Sequence, residues 1–560
     1  MPKKWRLKVP QPALQAELGR ILGLPSIVAK LLINRGITAS DQADIFLKPL
    51  LTSLHDPFLL KDMDKAVRRL NIARERGEMV LVYGDYDVDG VTSTAVVYRL
   101  LKKLGIQAMS YIPHRMDEGY GLNYEIVPLA KQWGVGLLIT VDCGVTSVGE
   151  VASLKENGID TIVIDHHEPE GPVPAACAVV DPKQPGCSYP CPYLAGVGLA
   201  AKFVQAVTGE FPLYDLDLVT LGTIADVVPL LGENRIIARH GLPRIGASSK
   251  AGLQALIEIA RIRGKNMTPH LVGFSLGPRL NAAGRMGSAG TSLELLLCDE
   301  PTNAVALAQA LEVYNRDRQR LQSAVFDEAV DMIEGADGFL DDRIIVVHRQ
   351  GWHKGVLGIA ASKIVEKYGR PAIVISVDDG VGVGSARSLE GFALNEAFAH
   401  CAEILEGFGG HKRAAGLKVK DSNIVELRKR LHDYAKGIFA DGASDLVLEI
   451  DAELPLGDVS MDLVASIEAL EPFGEGNPAP VFATRRLMVK SKPQVMGKDT
   501  LKFWITDGRT SVSAVGFGMG ADFGDLRMNQ AIDIVYTIGI DDWNKAPQAQ
   551  IMLKDIRMAK

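Results

Sequence analysis

Three aspartates fall at alternate positions in Gly84-Asp85-Tyr86-Asp87-Val88-Asp89-Gly90, directly after the apolar run Val80-Leu81-Val82-Tyr83. Extended or turning backbone places alternate side chains on one side, so the three carboxylates can converge. Like charges within a few ångströms repel. A cation relieves that repulsion, and carboxylate oxygens suit Mg²⁺ or Mn²⁺. The pattern also opens like a calcium loop, but such a loop needs a glutamate at its twelfth position. Counted from Asp85, that position is Val96, which cannot ligate. A solvated acidic loop is the bland alternative.

Three more groups sit in matching places. Asp142 follows the apolar run 137–141 and precedes Cys143-Gly144. Asp165-His166-His167 follows the run 161–164, and Asp226 lies in Gly222-Thr223-Ile224-Ala225-Asp226-Val227. Alone, Asp142 reads equally well as a helix N-cap, the histidine pair as a turn, and Asp226 as a cap or a buried ion pair. Two of these groups, Asp142 and Asp165-His166-His167, fall with the first motif on one edge by topology, because an open parallel sheet binds ligands outside the carboxyl ends of its strands. Three matching placements together point away from the separate bland readings.

That sheet is legible in the chain. Apolar runs at 80–83, 108–112, 137–141 and 161–164 recur every 25 to 30 residues, with helical stretches at 91–104, 126–133 and 148–156 between them. This alternation is the mark of βαβ units. Residues 301–335 predict one long helix of roughly 50 Å, or two helices broken near Asn315. A second α/β unit follows, with strands at 344–347 and 372–375 around a helix at 356–368. The last 100 or so residues are rich in strands and turns and suit a small barrel, with an OB-fold as the leading candidate. The first 50 residues read as short helices with Pro and Gly breaks and carry no usable motif.

Bulk properties narrow the function class. The chain has 560 residues, 47% hydrophobic and 23% charged, which fits a globular protein of several domains. No apolar run reaches the roughly 18 residues of a membrane span. The basic start Lys3-Lys4-Trp5-Arg6 leads into Pro10 rather than an apolar core, so a cytoplasmic location is expected. Six scattered cysteines read as reduced, structural thiols. The net charge of −7 argues against binding nucleic acid with the whole surface. From Val481 to Lys560, however, 12 Lys/Arg stand against 8 Asp/Glu, a net of +4, which leaves −11 on the first 480 residues. Phe503, Trp504, Tyr536 and Trp543 are interleaved there with Lys492, Lys498, Lys502 and Lys545, a mixture used by single-strand binders and equally by a barrel core.

In order, Asp85-Tyr86-Asp87-Val88-Asp89, Asp142, Asp165-His166-His167 and Asp226 resemble the four motifs of the DHH phosphoesterase superfamily. Gly409-Gly410-His411 with Arg413-Ala414-Ala415-Gly416 is similar to the glycine-rich motif of the DHH-associated domain, and the order with a C-terminal barrel resembles the superfamily's single-strand exonuclease branch. The resemblance spans residues 50–560. It implies an α/β fold of two lobes, the DHH domain at 51–290 and the DHH-associated domain at 336–445, joined by a connecting helix at 291–335. An N-terminal extension would occupy 1–50 and an OB-like nucleic-acid-binding barrel 446–560. Asp87, Asp89, Asp142, His166 and Asp226 are implied as ligands of two divalent ions, Mn²⁺ or Mg²⁺, with Asp142 as a bridge. Asp85 ligates directly or orients a metal-bound water, and His167 lies behind the ligands or faces phosphate. Two ions of this kind activate water and stabilise the leaving oxygen of a phosphoryl displacement.

Across from them, a Gly-Gly turn at Gly409-Gly410 would let backbone amides approach phosphate, and His411 would donate to the scissile phosphate, with Lys412 and Arg413 beside it. A helix N-terminus with an exposed basic pair is the plainer reading of that segment. The resemblance makes Arg285, Ser385 and Arg387 a terminal-phosphate pocket, since Arg suits bidentate phosphate contacts; Arg279, His114 and Arg115 are weaker candidates. The implied activity is 5′→3′ hydrolysis of single-stranded DNA to 5′-mononucleotides in repair and recombination, by a monomer whose partners are single-strand-binding protein and a helicase. Two rival readings are a DHH phosphodiesterase for short oligoribonucleotides or cyclic dinucleotides, and a non-catalytic DHH scaffold of a replication complex. Length and barrel argue against the first, and the complete ligand set against the second.

Overall fold

The structure, a computed structural model, describes residues 3–115, 117–119, 121–335, 342–438, 447–497, 499–541 and 547–559. The chain forms two compact units. One comprises Asp56–Asp226 and Gly241–Ser444; the other comprises Met1–His55, Val227–His240 and Asp445–Lys560.

In the first unit, β1 (Met79–Gly84) leads into α1 (Val88–Lys103), followed by β2 (Ala108–Tyr111), β3 (Val135–Val141), β4 (Asp160–Ile164) and β5 (Ala178–Val180). All five strands are parallel, in the order β2-β1-β3-β4-β5. The chain therefore reverses its direction of winding at β1, beside β3. Such a switch point opens a crevice at the strands' carboxyl ends. Apart from the half-buried edge strand β2, the strands are almost wholly apolar and buried, as a sheet covered on both faces requires. The covering helices include α2 (Gly196–Thr208) and α3 (Leu216–Ala225), which pack on α1. A helical stretch from Pro269 ends in α4 (Gly277–Met286).

The helix predicted at 301–335 is one unbroken element, α5 (Pro301–Gly335). No break occurs at Asn315, which is buried and accepts a hydrogen bond from Arg318 one turn on at 2.7 Å. On the first lobe α5 packs against α4 and the helices Ala251–Ile259 and Gly290–Leu297. Through Val325, Ala329 and Ile333 it joins the core of the second lobe.

The second lobe holds β6 (Ile345–Gln350), α6 (Leu357–Tyr368), β7 (Ala372–Asp378), β8 (Val381–Arg387), β9 (Leu405–Gly410) and β10 (Ala414–Lys420). Its sheet runs β9-β10-β8-β7-β6, with only β6 and β7 parallel. Gly409 and Gly410 end β9, paired with Gly416 and Ala415, so the turn itself is His411-Lys412-Arg413. The expected Gly-Gly turn is thus displaced by two residues. The hairpin is closed by the His411 N–H, which donates to the Ala414 carbonyl at 2.8 Å.

The other unit is a barrel with a helical cover. Strands β11 (Phe482–Val489), β12 (Thr500–Thr506), β13 (Ser511–Phe517), β14 (Ala531–Asp541) and β15 (Gln548–Met558) close into a ring, β11-β14-β15-β13-β12 and back to β11. Five strands closed in this way are the OB-type barrel. Phe503 and Tyr536 are core, with the Tyr536 hydroxyl hydrogen-bonded to Thr484 at 2.9 Å, while Trp504 is 43% exposed. Trp543, Lys498 and Lys545 lie outside the described residues. The N-terminal helices, Pro12–Leu22, Ser26–Ile33 and Ser40–Leu47, share the barrel's core through Leu18, Leu31, Leu32 and Phe46. Buried Arg235 stitches the unit together: it lies over the Phe46 ring and donates to the carbonyls of Phe46 and Glu471. All six cysteines are free, and among the described residues no helix is long and apolar enough to cross a membrane.

Because Leu32 is wholly buried in this shared core, Leu32→Ala should destabilise the barrel unit by about 2–5 kcal/mol. Denaturant unfolding followed by the fluorescence of the barrel's tryptophans measures it. A loss below about 0.5 kcal/mol, the range of surface substitutions, would show that the N-terminal helices are not part of that core.

Candidate metal centre

Register sets the first layer of the site. Gly84 pairs with Val141, Val141 with Ile164, and Ile164 with Val180. Each of the four strands continues into an aspartate, so Asp85, Asp142, Asp165 and Asp181 line one edge of the sheet. Asp87 and Asp89 join them because the chain passes from β1 straight into α1. Asp87 caps α1, accepting from the Asp89 and Gly90 amides at 2.9 and 3.1 Å. Asp89 lies in the first turn, and its two oxygens accept from the Gly196 and Val197 amides at the start of α2, at 2.6 and 2.8 Å. Asp226 arrives from elsewhere, at the C-terminal end of α3.

These side chains form three overlapping groups, each with one ligand atom per residue and all atoms within 4.8 Å: Asp85, Asp87 and Asp142; Asp89, His166 and Asp226; Asp142, His166 and His167. Asp142 and His166 each belong to two of them. His166 Nε2 lies 3.1 Å from Asp142 Oδ1, 3.7 Å from Asp226 Oδ2 and 3.9 Å from Asp89 Oδ2. Close approach is built into the backbone. Asp142 is held at φ +61°, a left-handed conformation that, among residues with a side chain, Asp and Asn adopt most readily. A Cβ on Gly196 would sit 2.7 Å from Asp142 Oδ1, and one on Gly90 would sit 2.4 Å from the Asp85 carbonyl oxygen.

The electrostatics are those of a site short of positive charge. Burial, then the neighbouring carboxylates, pushes Asp85, Asp142 and Asp226 well above the usual carboxylate range and Asp89 up to about 7. Burial, helped by His167, lowers His166 to about 3, so its imidazole is neutral. Its other ring nitrogen is held by the Leu194 backbone, which leaves Nε2 aimed into the cluster in the manner of a metal-ligating histidine. Asp85 Oδ1, Asp142 Oδ1, His166 Nε2 and Asp226 Oδ2 are buried with no hydrogen-bond partner. Buried polar atoms are almost always paired. Four orphans converging from four segments, all of them oxygen or imidazole donors, fit a hard divalent cation.

Asp165 has a different part, which its place in the motif does not disclose. Its carboxylate accepts from the Val145, His166 and His167 amides and from His167 Nδ1 at 2.7 Å. Burial alone would raise it, but the bonds to His167 and the amides hold it at about 2. The same pairing outweighs burial at His167 and lifts it to about 9. His167 is therefore a donor at the edge of the cluster. Asp181 was missed altogether: no motif marks it, yet it is fully buried, with Oδ2 unpartnered and a pKa raised by burial to about 7.

The second lobe faces this edge. His411, at the tip of the β9–β10 turn, is largely exposed, with Nδ1 3.8 Å from Glu170 in the segment after His167. Arg413 is spent partly on the turn, its carbonyl accepting from Ser388. Further along, Arg285 donates to the Gly355 carbonyl at 3.1 Å, and Arg387 donates to Ser385 Oγ at 3.2 Å. A Cβ on Gly358, in the first turn of α6, would lie 2.7 Å from Arg387 and 2.9 Å from Ser385 Oγ. Burial, helped by the guanidiniums of Arg115, Arg318 and Arg387, lowers Arg285 to about 9. Arg115, one of the weak candidates, is drawn in across Tyr86, whose ring it covers at 4.6 Å. Arg279 is not part of this group; it pairs with Glu312. Half-buried arginines that repel one another beside a helix N-terminus have the chemistry to hold an anion.

Residues 79–223 match the DHH family, N-terminal domain, residues 341–437 the DHHA1 domain, and residues 450–555 the RecJ OB domain. The chain is 38% identical over 560 residues to the single-stranded-DNA-specific exonuclease RecJ of Bacillus subtilis, covering 100% of this chain and 71% of that protein. To the protein of the same name in Haemophilus influenzae it is 34% identical over 529 residues, 90% of this chain and 92% of that one. The crystal structure of RecJ in complex with Mn²⁺ from Thermus thermophilus superposes with a TM-score of 0.85 at 31% identity, covering 100% of this chain and 80% of that one.

A cation that fits the cluster should stabilise the protein, by about 2.7 kcal/mol at a concentration 100 times its Kd. Scanning calorimetry with and without Mn²⁺ should show that gain in the wild type. Asn tolerates the left-handed backbone at position 142, and the substitution removes one repelling charge. Asp142→Asn should therefore unfold no earlier than the wild type without metal, yet lose most of the Mn²⁺-induced shift. An undiminished shift would remove Asp142 from the ligand set.

Proposed function

Because the chain belongs to the RecJ family of single-stranded-DNA-specific exonucleases, we propose that it hydrolyses single-stranded DNA from its 5′ end and releases 5′-mononucleotides. The observation that carries this reading is the placing of two oppositely charged sites in one unit: a carboxylate cluster short of cations and an arginine pocket short of anions. A strand whose terminal phosphate rests among Arg115, Arg285, Ser385 and Arg387 brings its first phosphodiester towards the cluster. Binding energy from the remote phosphate then positions the scissile bond.

Asp87, Asp89, Asp142, His166 and Asp226 would hold Mn²⁺ or Mg²⁺, with Asp142 shared, and Asp85 completes the set or orients a water. The chemistry such ions supply is activation of water and neutralisation of charge developing on the phosphate. The remaining work falls to the chain itself. Asp165 fixes the His167 ring and keeps it protonated, so that it donates to a phosphate oxygen. His411 donates from the opposite side when the strand displaces Glu170, and Arg413 adds positive charge at the same turn. Gly409 and Gly410 leave the hairpin without side chains where the strand would pass. The barrel, with exposed Trp504 and half-buried Lys502 on β12, contributes a stacking and phosphate-contacting surface. A cytoplasmic monomer working beside single-strand-binding protein and a helicase in repair and recombination completes the proposal.

Chelation should abolish hydrolysis, and Mn²⁺ or Mg²⁺ should restore it; full turnover in excess chelator would end the metal mechanism. Loss of a charged hydrogen-bonding partner costs about 1.5–3 kcal/mol. Arg387→Ala should therefore lower kcat/KM on 5′-phosphorylated strands roughly 10- to 150-fold, with a much smaller effect on 5′-hydroxyl strands. Equal losses on both ends would show that Arg387 does not read the terminal phosphate, and degradation from the 3′ end would overturn the polarity.

A further inference from the structure

Between Glu258 and Glu294 the chain carries no acidic residue, while Arg261, Arg263, Lys265, Arg279 and Arg285 give the stretch five positive charges in a protein of net charge −7. Its central element runs from Pro269 through a π-helical turn, Val272–Leu276, into α4. One face of this helical run follows the metal centre. Arg285 belongs to the arginine pocket. Asn281, four residues earlier, accepts from the Val88 amide at 3.1 Å, beside Asp87. Gly277 lies against Ala225, next to Asp226, where an added Cβ would sit 3.6 Å from the Ala225 Cβ.

Continued by one more turn, that face reaches Phe274 and His270. Eleven residues separate Phe274 from Arg285, about three turns, so the two lie on the same side of the helix. Phe274 is 74% exposed. Its ring is stacked on that of His270, with centroids 4.6 Å apart and planes 28° from parallel. One face of the phenyl ring is thus braced and the other open to solvent. An aromatic this exposed has no packing role, and π-turns occur often at functional sites. Beyond it the exposed loop of Arg261, Arg263 and Lys265 supplies charge for a phosphate backbone.

We propose that Phe274, braced by His270, is a stacking platform for an unpaired base of the bound strand, roughly three to five nucleotides from the terminal phosphate. The spacing follows from about 16 Å of helix between Phe274 and Arg285, set against about 3.4 Å per nucleotide in a stacked strand and more in an extended one. A ring open on one face accepts any base, because every base has a π-face. A base already paired within a duplex is stacked between its neighbours and cannot use it, so the platform favours single strands without reading sequence. This inference rests on the exonuclease reading above and adds a base subsite to it.

The test is release of the first nucleotide from 5′-phosphorylated 20-mers carrying a single abasic residue at successive positions from the second to the seventh. In the wild type, KM should rise when the abasic residue lies in the three-to-five window. Phe274→Ala should raise KM on the intact strand roughly 5- to 150-fold, the range for one lost base stack, leave kcat within about two-fold, and abolish the positional dependence. Phe274→Trp, which keeps the platform, should retain both the low KM and the dependence. A Phe274→Ala enzyme with unchanged KM, or one that still responds to the abasic residue at the same position, overturns the platform while the exonuclease reading stands. A metal-loaded wild type that degrades no single strand overturns that reading, and the platform with it.

Discussion

Carboxylates buried side by side repel one another, and much of this protein's first unit is arranged around holding them there. Asp85, Asp89, Asp142 and Asp226 come from three different segments, lie at the carboxyl edge of a parallel sheet and are driven towards the neutral form by burial and by each other. Nothing in ordinary packing rewards that arrangement; a divalent cation does. Several features otherwise hard to explain follow from it. They include the left-handed Asp142, the side-chain-free contacts at Gly90 and Gly196, and the helix N-terminus of α2 turned upon Asp89.

The opposite imbalance lies in the arginines. Arg285 is half-buried close to Arg115, Arg318 and Arg387, and the helix α5 fixes its distance from the second lobe by packing on both lobes. In the proposed function, a substrate with phosphates at regular spacing would satisfy both imbalances at once. That complementarity also speaks against a scaffold, which has no need to bury uncompensated charge of either sign.

His166 and His167 are adjacent in sequence and opposite in chemistry. Burial and its neighbour keep His166 neutral and able to ligate. The carboxylate of Asp165, held by three amides, keeps His167 charged and able to donate. Asp165 is thus tied up by His167 and three amides, although it sits in the same register position as Asp85 and Asp142.

Much of this was legible in the sequence because it is local. Strand-length apolar runs ending in Asp85, Asp142 and Asp165 disclosed the parallel sheet and its functional edge, since side-chain period and strand ends are properties of consecutive residues. The helix at 301–335 and most of the barrel strands were legible for the same reason, but that the helix runs unbroken past Asn315 was decided by the packing around it. Tertiary structure alone decided what depends on residues far apart in the chain. It aligned Asp181 with the other strand ends, because only the β4–β5 register brings it there. It drew Arg115 to Arg285 and Arg387 and sent Arg279 to Glu312. It made Phe503 and Tyr536 core while leaving Trp504 outside, and it gave the motif-free N-terminal helices the barrel's core to cover. Pattern within a segment fixes which side chains share a face; which faces meet is set by the burial of whole elements against one another, and no spacing within one segment records that.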